Sequence, residues 1–161
     1  MTELDALAAR VAARLIEQRE TIGVAESSAG GLIAATLLAV PGASRYFIGG
    51  AVVYTASARK ALLGIGPDEM AGMRSASEPY AQLLARRTRE SLGSSWGLAE
   101  TGAAGPTGNR YGDLSGHSCL AVSGPAERVG TLETGSTDRA ANMEAFAIAA
   151  LGLLDEALAA G

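Results

Sequence analysis

Leu4, Leu7, Val11 and Leu15 recur at spacings of three and four, with Arg and Glu between them, which predicts an amphipathic helix over roughly 2–19. An apolar run at 21–25 predicts a strand, and a second run, Leu32 to Leu38, a helix over about 30–39 that Pro41-Gly42 ends. Tyr46 to Tyr54, with Phe47, Ile48, Val52 and Val53, reads as a strand, with a bulge or close backbone approach expected at Gly49-Gly50. Ala56 to Leu63 reads as a short helix closed by Gly64. A longer helix is expected over about 78–92, with Pro79 at its start and Ser77 or Glu78 as its cap. Trp96 to Ala99 is a short strand, and His117–Val122 and Arg128–Glu133 read as a hairpin. A last helix covers about 138–159, with Phe146, Leu151, Leu154 and Leu158 on its core side. Strand and helix alternate first and a hairpin follows. That order predicts a three-layer α/β/α sandwich with a mixed β-sheet, residues 1–161 forming a single domain.

Composition narrows the class. The chain has 161 residues, of which 48% are hydrophobic and only 4% aromatic. Small side chains let helices lie close to a sheet. The net charge of -4 and the lack of a basic run argue against a nucleic-acid surface. The one cysteine, Cys119, excludes an intrachain disulfide and a cysteine-rich zinc site, and its apolar neighbours predict a buried thiol. No apolar run is long enough for a membrane span and no secretory leader is seen, so the cytoplasm is the expected location.

Two segments carry candidate chemistry. Glu26-Ser27-Ser28-Ala29-Gly30-Gly31 joins the first strand to the second helix. A hydroxyl- and glycine-rich turn there offers a nucleophile beside unpaired helical N–H groups that would hold an oxyanion, or else two capping serines. The second segment, Thr101 to Asn109, is also glycine-rich and also follows a strand. Ligands bind outside the carboxyl ends of strands in open α/β sheets, so the two loops are expected side by side. Neither matches a dinucleotide or Walker pattern. Tyr54 ends a strand, with Arg59 and Lys60 five and six residues on. A partly neutral lysine or a tyrosine there would activate a serine. His117, the only histidine, is a further candidate base.

Several ordered motifs resemble the CinA C-terminal family. They are Ala25-Glu26-Ser27 with Gly30-Gly31, Val40-Pro41-Gly42-Ala43-Ser44, Gly49-Gly50 with Val53-Tyr54, Ala61-Leu62-Leu63-Gly64, Ser77-Glu78-Pro79 and Gly102-Ala103-Ala104-Gly105-Pro106. Enzymatic members of that family are nicotinamide mononucleotide (NMN) deamidases of the PncC type, which act in NAD recycling. The resemblance implies hydrolysis of the NMN carboxamide to nicotinate mononucleotide and ammonia, with Ser27 as nucleophile and Tyr54 beside it. Arg59 and Lys60 complete the expected catalytic set. Ser28, Gly30, Gly31, Ser44, Thr101, Gly102 and Gly105 are the expected substrate-binding positions. The phosphate is expected on Arg59-Lys60 or on the Thr101 loop. No metal or organic cofactor is implied, the partner is a small nucleotide, and a homo-oligomer is left open.

The sequence departs from the family at four places. Ser28-Ala29 replaces Cys-Thr, Arg59 replaces a lysine that has moved to Lys60, Gly108 to Asp113 continues the loop differently, and Gly116-His117 replaces Gly-Thr. An arginine cannot lose its proton near neutrality, so Arg59 cannot be a base. Lys60, His117, Tyr54 and Glu26 remain as alternatives. A nucleotide-binding or regulatory module without turnover, or a hydrolase for another amide, are the rival readings.

Overall fold

The computed structural model describes residues 1–161. In chain order the elements are α1 (Glu3–Gln18), β1 (Ile22–Glu26), α2 (Leu32–Leu38), β2 (Phe47–Val52), α3 (Ala56–Leu63), α4 (Glu78–Leu92), β3 (Trp96–Ala103), β4 (His117–Ser123), β5 (Arg128–Glu133) and α5 (Arg139–Ala160), with a 3-10 turn at Ala43–Arg45. The strands form one mixed sheet in the order β2-β1-β3-β4-β5. β1 runs parallel to both β2 and β3, and β3-β4 and β4-β5 are antiparallel. The three-layer α/β/α sandwich expected from the sequence is present. No helix is long and apolar enough to cross a membrane.

Strand alternation sorts the two cores. Ile22, Val24, Trp96, Leu98, Leu120 and Val122 face α1, α2 and α5, whereas Ala25, Ala99, Cys119 and Ala121 face α4 and Leu63 of α3. Phe146, Leu151 and Leu154 of α5 are completely buried. Cys119 is buried as a free thiol. The small residues serve the packing directly: a Cβ on Gly97 would meet the Ala85 carbonyl oxygen at 2.1 Å, so α4 lies against the bare backbone of β3.

Caps fix the helix starts. Thr2 and Asp5 form a capping box on α1, and the Ser77 hydroxyl accepts from Tyr80 N–H at the start of α4. Three expectations shift. The bulge against β1 falls at Ile48 rather than at Gly49-Gly50, because Ile22 pairs with Phe47 and Gly23 with Gly49. The glycines instead permit close approach, since a Cβ on Gly50 would sit 3.3 Å from the Val24 carbonyl oxygen. β3 continues to Ala103, so Thr101 and Gly102 are strand residues and not loop. α2 starts at Leu32, behind Gly31 in the left-handed region at φ 97°, and no side chain of its N-cap residue caps it. Neither serine of the turn is therefore that cap.

Candidate active site

Two buried carboxylates build the turn between β1 and α2. Glu26 ends β1 on the α2 side, as the alternation from Ile22 and Val24 requires. Its Oε1 accepts from Gly31 N–H at 3.2 Å and Ile33 N–H at 2.9 Å, and its Oε2 from Ala34 N–H at 2.9 Å. The helix thus receives its negative cap from the strand end before it. Glu100, fully buried on β3, takes the same parity as Leu98 and reaches the turn itself. Its Oε1 accepts from Ser27 N–H at 3.1 Å and Ala29 N–H at 2.7 Å, while its Oε2 accepts from the Ser28 hydroxyl at 2.5 Å and the Ser118 hydroxyl at 3.2 Å. Burial pushes both carboxyls above their usual range, with each hydrogen bond opposing it and, for Glu26, the neighbouring Glu100 charge adding to it.

These bonds leave two groups of the turn free. Gly30 N–H bonds the Ser27 carbonyl and Leu32 N–H the Ala29 carbonyl, so of the N–H groups from Ser27 to Leu32 only that of Ser28 has no acceptor within the protein. The half-buried Ser27 hydroxyl likewise makes no intramolecular hydrogen bond. Ser27 opens into a cleft of about 230 Å³ at the carboxyl ends of β1 and β3, lined also by Val53, Tyr54, Arg59, Ser75, Ala76, Tyr80, Thr101, Gly102, Asn109 and Tyr111. Three of the chain's four tyrosines line this one cleft. The two candidate loops do converge on it, through Ser27 on one side and Thr101, Gly102 and Asn109 on the other.

The wall formed by Ser75 and Ala76 is tightly tied. Ala76 sits in the left-handed region at φ 55°, where a non-glycine residue is strained. Its N–H donates to the Thr101 hydroxyl at 3.1 Å, and its carbonyl accepts from His117 Nε2 at 2.8 Å. Arg59 donates to the Ser75 hydroxyl at 3.0 Å and stacks over the Tyr80 ring at 5.2 Å. Arg74 grips Asp113 with two hydrogen bonds, at 2.7 and 3.2 Å, and lies over Tyr111. At the rim, Arg139 donates to the Tyr54 hydroxyl at 3.1 Å and to the Gly105 carbonyl.

The structure brings Ser27, Tyr54, Arg59, Thr101 and Gly102 to the cleft and leaves the other expected residues outside its lining. Lys60 is one helical step from Arg59, which turns its side chain by about 100°; it is exposed and faces a different groove, beside Ile65 and Met70. Ser28 is buried on Glu100. Gly30 and Gly31 face a groove against Met143 of α5. Ser44 lies in the 3-10 turn, and Gly105 presents its carbonyl to Arg139. Glu26 is saturated by N–H groups and His117 is held away from the cleft lining. No group of three His, Cys, Asp or Glu side chains is placed to hold a metal ion. The sequence reading missed Glu100, Ser75, Ala76, Tyr80, Tyr111 and Arg139. Glu100 shares the strand parity of Leu98, a signal that becomes usable only once β3 is known to continue past Ala99.

Known proteins share this architecture. The family described as CinA C-terminal domain matches residues 4–158. A CinA-like protein of Gloeobacter violaceus is 42% identical over 123 residues, 76% of this chain and 29% of that protein. Another, of an Anaeromyxobacter species, is 38% identical over 156 residues, 96% of this chain and 38% of that protein. The chain thus spans about a third of the length of these curated relatives. The crystal structure of the competence/damage inducible protein CihA of Agrobacterium tumefaciens matches with a TM-score of 0.90 at 27% identity, over 99% of this chain and 97% of that one.

Proposed function

Because the chain belongs to the CinA C-terminal domain family, we propose that it is a serine-dependent amidohydrolase acting on the carboxamide of NMN. The observation that carries this reading is the pair of free groups at the turn: the Ser27 hydroxyl and the Ser28 N–H are unpaired beside the cleft, while every neighbouring N–H is satisfied. An unpaired backbone donor next to an unpaired hydroxyl suits a nucleophile followed by an oxyanion donor. In this reading the Ser27 oxygen bonds to the carboxamide carbon and the Ser28 N–H holds the oxyanion. The Ser27 proton passes to the departing nitrogen, which leaves as ammonia. Water then cleaves the acyl-enzyme, giving the carboxylate and restoring Ser27. Of Lys60, His117, Tyr54 and Glu26, only Tyr54 lines the cleft, and in this reading its hydroxyl, oriented by the hydrogen bond it accepts from Arg139, carries the proton. Arg59 inside the cleft and Arg139 at its rim supply the positive charge for a phosphate.

Pure protein incubated with NMN is expected to release ammonia, and Ser27→Ala to release none. Equal ammonia from both proteins would sink the reading. A second reading, a nucleotide-binding module without turnover, is favoured by one feature: no base is hydrogen-bonded to the Ser27 hydroxyl, and the cleft holds arginine, not lysine. Calorimetry showing tight NMN binding with no ammonia would select it.

A further inference from the structure

His117 has no place in the proposed chemistry, yet both of its ring nitrogens are engaged next to the cleft. It is 5% exposed, and both ring nitrogens meet acceptors: Nε2 the Ala76 carbonyl at 2.8 Å, and Nδ1 the Glu133 carboxylate at 2.5 Å. Only the imidazolium can donate to both at once. A neutral ring keeps one bond and turns a lone pair toward the other oxygen. We propose that His117 in its doubly protonated form is the positioning residue for the Ser75-Ala76 wall of the cleft, so that nucleotide binding and proton uptake at His117 are coupled. The inference rests on the assignment of the Ser27 cleft as the nucleotide site.

The path from the ring to the cleft is short. His117 holds the Ala76 carbonyl, and Ala76 lines the cleft in a strained backbone conformation that such a bond stabilises. The Thr101 hydroxyl holds the other side of Ala76 by accepting from its N–H. The charged groups around the ring favour the cation. Glu133 of β5 and Asp113 of the loop before β4, 3.6 Å from Nε2, are both anionic partners. Arg74 offsets Asp113 by pairing with it. Cys119 of β4 lies 3.7 Å from Nε2, bonded to Thr131, which in turn donates to Glu78 of α4. Burial works to lower the His117 pKa, but the bonds to Glu133 and Ala76 and the Asp113 charge together hold it above its ordinary 6.5. Asp113 also ties the second side of the cleft, because Asn109 Nδ2 donates to it at 2.8 Å.

His117 is the sole imidazole, so its ring C–H resonances are unambiguous by NMR. The test titrates Ser27→Ala protein from pH 5 to 9, with and without saturating NMN. Without ligand, the Ser75 and Ala76 amide resonances are expected to follow the His117 titration. With NMN, the His117 pKa is expected to rise by about 0.5 or more, equivalent to about threefold tighter binding to the protonated form, by reciprocity. His117→Gln, which keeps a donor for Ala76 without a titration, is expected to fold and to lose the part of the pH dependence of NMN affinity that follows the His117 pKa, leaving that of the NMN phosphate itself. Ser75 and Ala76 amides that ignore the His117 titration would overturn the proposal. So would a His117 pKa unmoved by NMN while other amides report binding. If NMN moves no resonance at all, the nucleotide assignment fails, and the ligand-free titration of Ser75 and Ala76 decides the positioning role alone.

Discussion

Glu100 decides the local stability of the turn, because four donors converge on one fully buried carboxylate. Glu100→Ala leaves Ser27 N–H and Ala29 N–H without their acceptor and opens a cavity, with an expected loss of ~3–5 kcal/mol by chemical denaturation. Glu100→Gln keeps one oxygen for the two N–H groups and turns its amide toward the Ser28 and Ser118 hydroxyls, which can rotate to accept. It is therefore expected to fold. The sign of its pH dependence follows from the raised carboxyl: a folded-state pKa above the unfolded 4.5 gives stability that is full below that value and is lost as pH rises through the folded pKa. Glu100→Gln removes that loss, so its stability relative to the parent should improve from pH 4.5 toward neutrality. A constant difference across that window would mean the carboxylate is not penalised by burial. The neighbouring cations make a second residue-scale case. Arg59 lines the cleft and Lys60 does not. Lys60→Met is therefore expected to leave kcat/KM within about twofold, Arg59→Met to raise KM for NMN, and Arg59→Lys to raise kcat by supplying a cation that burial can bring near neutrality. A collapse of kcat in Lys60→Met alone would place the working amine on Lys60 instead.

At the scale of elements, α5 is core. Phe146→Ala is expected to cost ~3–5 kcal/mol, since the ring is completely buried and its neighbours on α1 and the sheet cannot close the space. A loss under ~1 kcal/mol on denaturation would contradict that packing. Most elements were legible because their signals were local: the three-four spacing of α1, the apolar run of β1 and the Ser77-Pro79 start of α4 all matched the chain. The failures share a cause. The sequence pattern ends β3 at Ala99, because Glu100, Thr101 and Gly102 look like loop residues. Parallel pairing with β1 ends near there, but antiparallel pairing with β4 continues through Ala103. A tertiary partner thus extended the strand, and no local pattern announces it. The same extension sends Glu100 to the serine turn and Thr101 to Ala76, on opposite faces. The left-handed Ala76 had no signal either: Ser75-Ala76-Ser77 carries no glycine or asparagine, and its bonds with Thr101, His117 and Cys119, all distant in sequence, hold it there.

The whole molecule carries a net charge of -4, yet the cleft presents Arg59 and, at its rim, Arg139. If the cleft is the nucleotide site, an anionic nucleotide should be repelled weakly at long range and attracted strongly within it. Diffuse surface charge is screened beyond ~10 Å at 0.1 M salt, so the local cations should win. The cleft also joins the two halves of the fold, β1 and its turn on one side and α4 with the segment before it on the other, so an occupant should stabilise the molecule as a unit. At 100 times its Kd, a ligand that binds only the folded chain adds ~2.7 kcal/mol, or roughly 5–10 °C in Tm for a chain of this size. Ser27→Ala protein with NMN is expected to show such a shift, to lose part of it when salt is raised, and to show a smaller one with the dephosphorylated nucleoside. Arg59→Met should bring the two ligands close together. If the nucleoside and NMN stabilise Ser27→Ala equally, and salt has no effect, then the arginines of the cleft do not hold a phosphate, and their bonds to Ser75, Tyr54 and the Gly105 carbonyl are purely structural.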